Sequence, residues 1–157
     1  MRYFHGSMDR LGIDFVLRGR GDAYIESWSG TDFYCALESL RPHYCLPHSQ
    51  AVFAVADPGE VDLAGGGTDW IFELEPSGPV SRHDLNWSSE ISCLLSDGFK
   101  PDSAEVRTAA FNYWSGVPHT DESIWEYLMP EAKIIRVAPF EDFQTEASID
   151  MDFQPHG

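Results

Sequence analysis

Residues 124–137, IWEYLMPEAKIIRV, put a carboxylate where an apolar side chain would be the ordinary choice. Lys133 to Val137 alternate as a strand does, and upstream Glu126 stands between Trp125 and Tyr127. Neighbours on a strand face opposite sides, so Glu126 points away from whatever the two rings pack against. A carboxylate in such a place can stabilise a developing positive charge. Read by itself, it is a solvent-facing strand residue paired with an arginine.

Three other spacings carry possible chemistry. His43, Cys45 and His48 put three metal-ligating types within six residues, but no fourth ligand follows at a zinc-like distance. Arg18-Gly19-Arg20-Gly21 joins base to glycine and could meet a polyanion, or could be a solvated turn. Gly65-Gly66-Gly67 lacks the strand–GxGxxG–helix setting of a dinucleotide fold and reads as a connection. A GxSxG nucleophile elbow and a Walker loop are both absent.

The elements that must position these residues are legible in part. Arg2 to His5 opens as a short strand, ended by Gly6-Ser7. Residues 8–30 read as loop with a turn or two of helix. Phe33, Ala36, Leu37 and Leu40 have the spacing of a helix face over 32–42. Ala51 to Ala56 is an apolar run closed by Asp57-Pro58-Gly59, hence a buried strand and a turn. Trp70 to Leu74 alternates as a half-buried strand. Asp102 to Trp114 is the clearest helix, with Asp102 as N-cap, Glu105 three residues on, and Gly116 and Pro118 to stop it. The acidic tail from about Glu141 is expected to pack loosely. The expected fold is a single α+β domain over residues 1–157, strand-dominated with mixed or antiparallel sheets and few short helices.

Composition narrows the function classes. A chain of 157 residues with 43% hydrophobic content buries a core and is not disordered despite its charge. The formal charge of −16, with two lysines and eight scattered arginines, disfavours nucleic acid as a partner. No run is apolar enough to span a membrane. The three cysteines make no CxxC pair and suit free thiols in a reducing compartment. With no signal-peptide core at MRYFHGSMDR, a cytoplasmic location, or delivery to a cytoplasm as an effector, is expected.

Taken together, Tyr3-Phe4-His5-Gly6-Ser7, Val52-Phe53-Ala54-Val55-Ala56 and Trp125-Glu126-Tyr127-Leu128 resemble, in that order, the ADP-ribosyltransferase superfamily. The closer resemblance is to its His-Tyr-Glu branch, which includes diphtheria-type toxins and poly(ADP-ribose) polymerases. His5-Gly6-Ser7 with Gly19-Arg20, and Glu75-Pro76-Ser77-Gly78-Pro79, are similar to the small rifamycin ADP-ribosyltransferases. The resemblance covers about half the chain, and residues 88–118 match nothing in the family.

The resemblance implies a split sheet and an enzyme that consumes NAD as a substrate, breaking its nicotinamide–ribose bond through an oxocarbenium-like transition state. His5 would hydrogen-bond the adenosine ribose, and the Gly6 backbone would clamp the nicotinamide amide with Ser7 nearby. Phe53 stands where the branch places a stacking tyrosine, keeping the ring face and losing the hydroxyl. Arg18 or Arg20 would meet the pyrophosphate. Glu126 would accept from the nicotinamide-ribose 2′-hydroxyl, and Asp84, near the position of the rifamycin-modifying acid, is its rival. The implied activity is glycosyl transfer of ADP-ribose from NAD to a protein side chain or a small-molecule hydroxyl. Two other readings stay open: a non-catalytic acidic protein mimicking nucleic acid, and a degenerate NAD-binding fold.

Overall fold

Alternating and apolar runs assemble into seven strands: β1 (Tyr3–Ser7), β2 (Val16–Arg18), β3 (Val52–Val55), β4 (Trp70–Ser77), β5 (Ser81–Asp84), β6 (Trp125–Met129) and β7 (Glu131–Pro139). They form one sheet in the order β2-β7-β4-β1-β3-β6-β5, and every pairing is antiparallel. Four short helices accompany it: α1 (Asp22–Trp28), α2 (Asp32–Glu38), α3 (Leu85–Ser96) and α4 (Ala104–Ser115). The architecture is therefore α+β with an antiparallel sheet. This computed structural model describes residues 1–143, so the tail beyond Phe143 lies outside the described residues. Among those described, no helix is long and apolar enough to cross a membrane.

The single sheet bends back on itself into two halves. β6 and β7 are separated in sequence only by Pro130, yet β4, β1 and β3 lie between them in the sheet. The chain can switch halves across one residue only if the sheet bends back on itself there. The inner faces then bury Phe72, Leu74, Ala132 and Ile134 from one half against Val52, Ala54, Tyr127 and Met129 from the other. Where the halves join, β1 and β3 share a single register pair, Phe4 with Val55. Beyond that pair the two strands part on the side of His5, Gly6 and Ser7.

Helices cover the outer face of the β3-β6-β5 half. α4 buries Val106, Ala109, Ala110, Tyr113 and Trp114, one stripe at helical spacing, and Gly116 at φ 72 closes it in the left-handed conformation. Its cap is Ser103, whose hydroxyl accepts from Val106 N, rather than the expected Asp102, because the helix begins one residue later. α3 was not foreseen. Four serines dilute its apolar stripe, and only Ile91 is buried outright, with Trp87, Leu94 and Leu95 packing partly. The segment at 141–143 does not lie loose: Phe143 is buried against Phe4, with the Arg136 guanidinium over its ring.

Candidate functional site

Sheet register sets the position of Glu126. It pairs with Val55 on β3 and with His83 on β5, so Phe4, Val55, Glu126 and His83 form one row across four strands on one face. α4 lies over that row, and Glu126 is 4% exposed. The Tyr113 hydroxyl donates to Glu126 Oε2 at 2.7 Å. His48 Nε2 lies 2.8 Å from the same hydroxyl, and His48 Nδ1 lies 3.3 Å from the Tyr24 hydroxyl. With Glu126 ionised, one proton arrangement fits all three contacts. Tyr113 gives its hydrogen to the carboxylate, so His48 must donate from Nε2 and accept from Tyr24 at Nδ1.

The other carboxyl oxygen is differently placed. Glu126 Oε1 makes no hydrogen bond among the described residues. It is also not a fully buried orphan, a state found only at His119 Nδ1 among the described side chains. Oε1 therefore keeps a small solvent-facing surface while Oε2 is tethered inside.

Burial dominates the electrostatics. Glu126 is pushed up to about 7 by desolvation, which the Tyr113 hydrogen bond partly opposes. Desolvation takes His48 down to about 3, so its ring is neutral. Tyr24 is raised to about 12, first by burial and then by the Glu126 charge, and Tyr113 is raised well above its ordinary value for the same two reasons. His83 is held low by burial, its Nδ1–H donating to the Tyr113 carbonyl at 2.8 Å and its Nε2 facing the Ser81 hydroxyl at 2.8 Å. Glu126 is thus the group of this cluster that titrates near neutrality.

His5 and Phe53 meet at the split. The side chain of His5 leaves the sheet on the face opposite Glu126, stacked near Phe72. Its Nδ1–H donates to the Phe53 carbonyl at 2.7 Å, bridging strands that no longer pair through their backbones. Nδ1 then carries the hydrogen, and Nε2, half-buried and without a partner among the described residues, is an acceptor. The Phe53 ring is not an open platform. Tyr24 lies against it at 6.2 Å and 24°, and His48 meets it edge-on at 5.2 Å. His5 reaches only the main chain of Phe53, whose ring lies on the Glu126 face, so the structure does not bring the His5 side chain into the cluster of His48, Tyr113 and Glu126.

The remaining sequence candidates are placed for packing. A Cβ on Gly6 would collide with the Gly67 carbonyl, so glycine there is required by the triple-glycine segment crossing β1 whether or not a ligand binds. The Ser7 hydroxyl accepts from Asp9 N. Arg18 is exposed and paired with Glu131 at 3.2 Å. Arg20 is exposed, makes no ion pair among the described residues, and acts electrostatically on Tyr24. Gly19 packs against the backbone of Gln50 and Ala51. Asp84, fully buried, caps α3 by accepting from Asn86 N at 3.0 Å, and it also accepts from His119 N at 2.8 Å. Both its oxygens are engaged with main chain, and those bonds hold its carboxyl below the usual range against desolvation. His43 is exposed against Tyr44 while Cys45 is in the core, so these two and His48 do not converge.

Sequence reasoning missed Tyr24, His48 and Tyr113 as members of this cluster. One signal existed: Tyr113 falls on the apolar stripe of α4, where a buried hydroxyl needs a partner. Comparison with protein-family models, with curated proteins and with solved structures finds no match to this chain.

Proposed function

We propose that this chain is an NAD-dependent ADP-ribosyltransferase, transferring ADP-ribose from NAD to a protein side chain or a small-molecule hydroxyl with release of nicotinamide. The observation that carries this reading is the carboxyl of Glu126, anchored through Oε2 and presenting an unpartnered Oε1. Cleavage of the nicotinamide–ribose bond builds positive charge on the ribose, and a carboxylate in a desolvated setting stabilises that charge strongly. In this reading Oε1 accepts from the nicotinamide-ribose 2′-hydroxyl. His5 Nε2, the other free acceptor, takes a hydroxyl of the adenosine ribose.

Arg20, exposed and without an ion pair among the described residues, is the available cation for the pyrophosphate. Asp84 has no oxygen to offer, which favours Glu126 as the acid.

The test is calorimetric titration with NAD together with assay of nicotinamide release. Wild type is expected to bind and to release nicotinamide, His5→Ala to lose affinity, and Glu126→Ala to lose about 100-fold or more in turnover. Failure of the wild type to bind NAD overturns the reading and returns the acidic binding protein as the alternative.

A further inference from the structure

We propose that Tyr113, itself fixed by His48, is a positioning residue for Glu126: it ties down Oε2 and so presents Oε1 to the reacting ribose. The kinetic part of this inference rests on the transferase reading, and the tether itself does not.

Tyr113 is fully buried, its ring stacked on His83 at 4.7 Å and edge-on to Trp114 at 4.9 Å. It therefore cannot swing its hydroxyl away from β6. A phenol between a carboxylate and an imidazole has one hydrogen to give. That hydrogen goes to Glu126 Oε2, which leaves the Tyr113 oxygen to accept from His48 Nε2 at 2.8 Å. In that tautomer His48 Nδ1 accepts from the Tyr24 hydroxyl at 3.3 Å, and Tyr24 comes from α1, a different part of the chain. Three side chains remote in sequence thus fix the rotamer of one carboxyl group.

The same bond counteracts burial. Desolvation drives Glu126 toward its neutral form, and a hydrogen bond from Tyr113 favours the charged form that the chemistry needs. The titratable groups facing Glu126 are Tyr113 from α4, His83 from β5, His48 from the 3-10 turn His48–Gln50, and Tyr24 from α1. Burial lowers both histidines and raises both phenols, so among these groups the Glu126 carboxyl is the one that titrates near neutrality.

The experiment compares wild type with Tyr113→Phe, which keeps the ring and its packing. Two readouts are followed: the pH profile of nicotinamide release, and the titration midpoint of the Glu126 carboxyl by 13C NMR, assigned with Glu126→Gln. Loss of one hydrogen bond to a carboxylate is expected to move both the acid limb and the midpoint up by about one to two pH units. Activity at pH 6 then falls roughly 10- to 100-fold and recovers toward pH 9. His48→Leu should reproduce part of the shift, and His48→Gln, which retains an N–H donor, should restore it. An unchanged midpoint in Tyr113→Phe overturns the inference even if the protein is an active transferase. A midpoint that moves in a protein releasing no nicotinamide upholds the tether and overturns the transferase reading instead.

Discussion

Replacing Glu126 by glutamine should stabilise the protein at alkaline pH while removing the proposed transferase activity, and the size of the stabilisation follows from burial. The carboxyl rises from 4.5 to about 7 on folding, chiefly through desolvation. A raised acid binds more protons in the folded state than in the unfolded one between those two values, so stability falls as pH rises through that window. Below pH 4.5 both states hold the proton and nothing is lost. Above pH 7 the full cost is present, about 3 kcal/mol for a shift of this size. Glutamine is neutral at every pH, its carbonyl can still accept from Tyr113, and its amide can face the opening that Oε1 occupies. The assay is urea unfolding of both proteins from pH 4 to 9, taken as a difference so that the many other acidic groups cancel. The difference should be near zero at pH 4, rise through pH 5–7, and level off with the variant more stable by about 3 kcal/mol. A flat difference across that range would refute the desolvated carboxyl on which the site is built.

Two further outcomes test the placement of neighbouring residues. Asp84→Ala strips acceptors from Asn86 N, His119 N and Ile124 N; thermal unfolding should show a loss of about 3 kcal/mol, with nicotinamide release retained per folded molecule. A stable but inactive Asp84→Ala would favour Asp84 over Glu126 as the acid of the proposed transferase. Gly6→Ala drives a methyl group into the Gly67 carbonyl, so its urea midpoint should drop by the equivalent of about 1–3 kcal/mol; an unshifted midpoint would show that the triple-glycine segment does not press on β1.

Local pattern determined much about this protein. The stripe Phe33, Ala36, Leu37, Leu40 and the stripe through Val106, Ala109 and Tyr113 each require a helix, since no other conformation puts such spacings on one side. Ala51 to Ala56 requires a buried strand, and Glu126 between two aromatic residues signals a carboxylate with a purpose or a partner. Tertiary structure decided what that partner is. Tyr24, His48, Tyr113 and Glu126 share no periodicity, and they meet because two helices, a 3-10 turn and a strand converge on one face of a bent sheet. The hydrogen-bond partners of a buried polar group depend on which elements pack over it, and Pro130 alone does not reveal that its two flanking strands have three others between them. Asp84 shows the same division from the other side. As a residue type it could be a catalytic acid, and only the amides folded around it make it a cap.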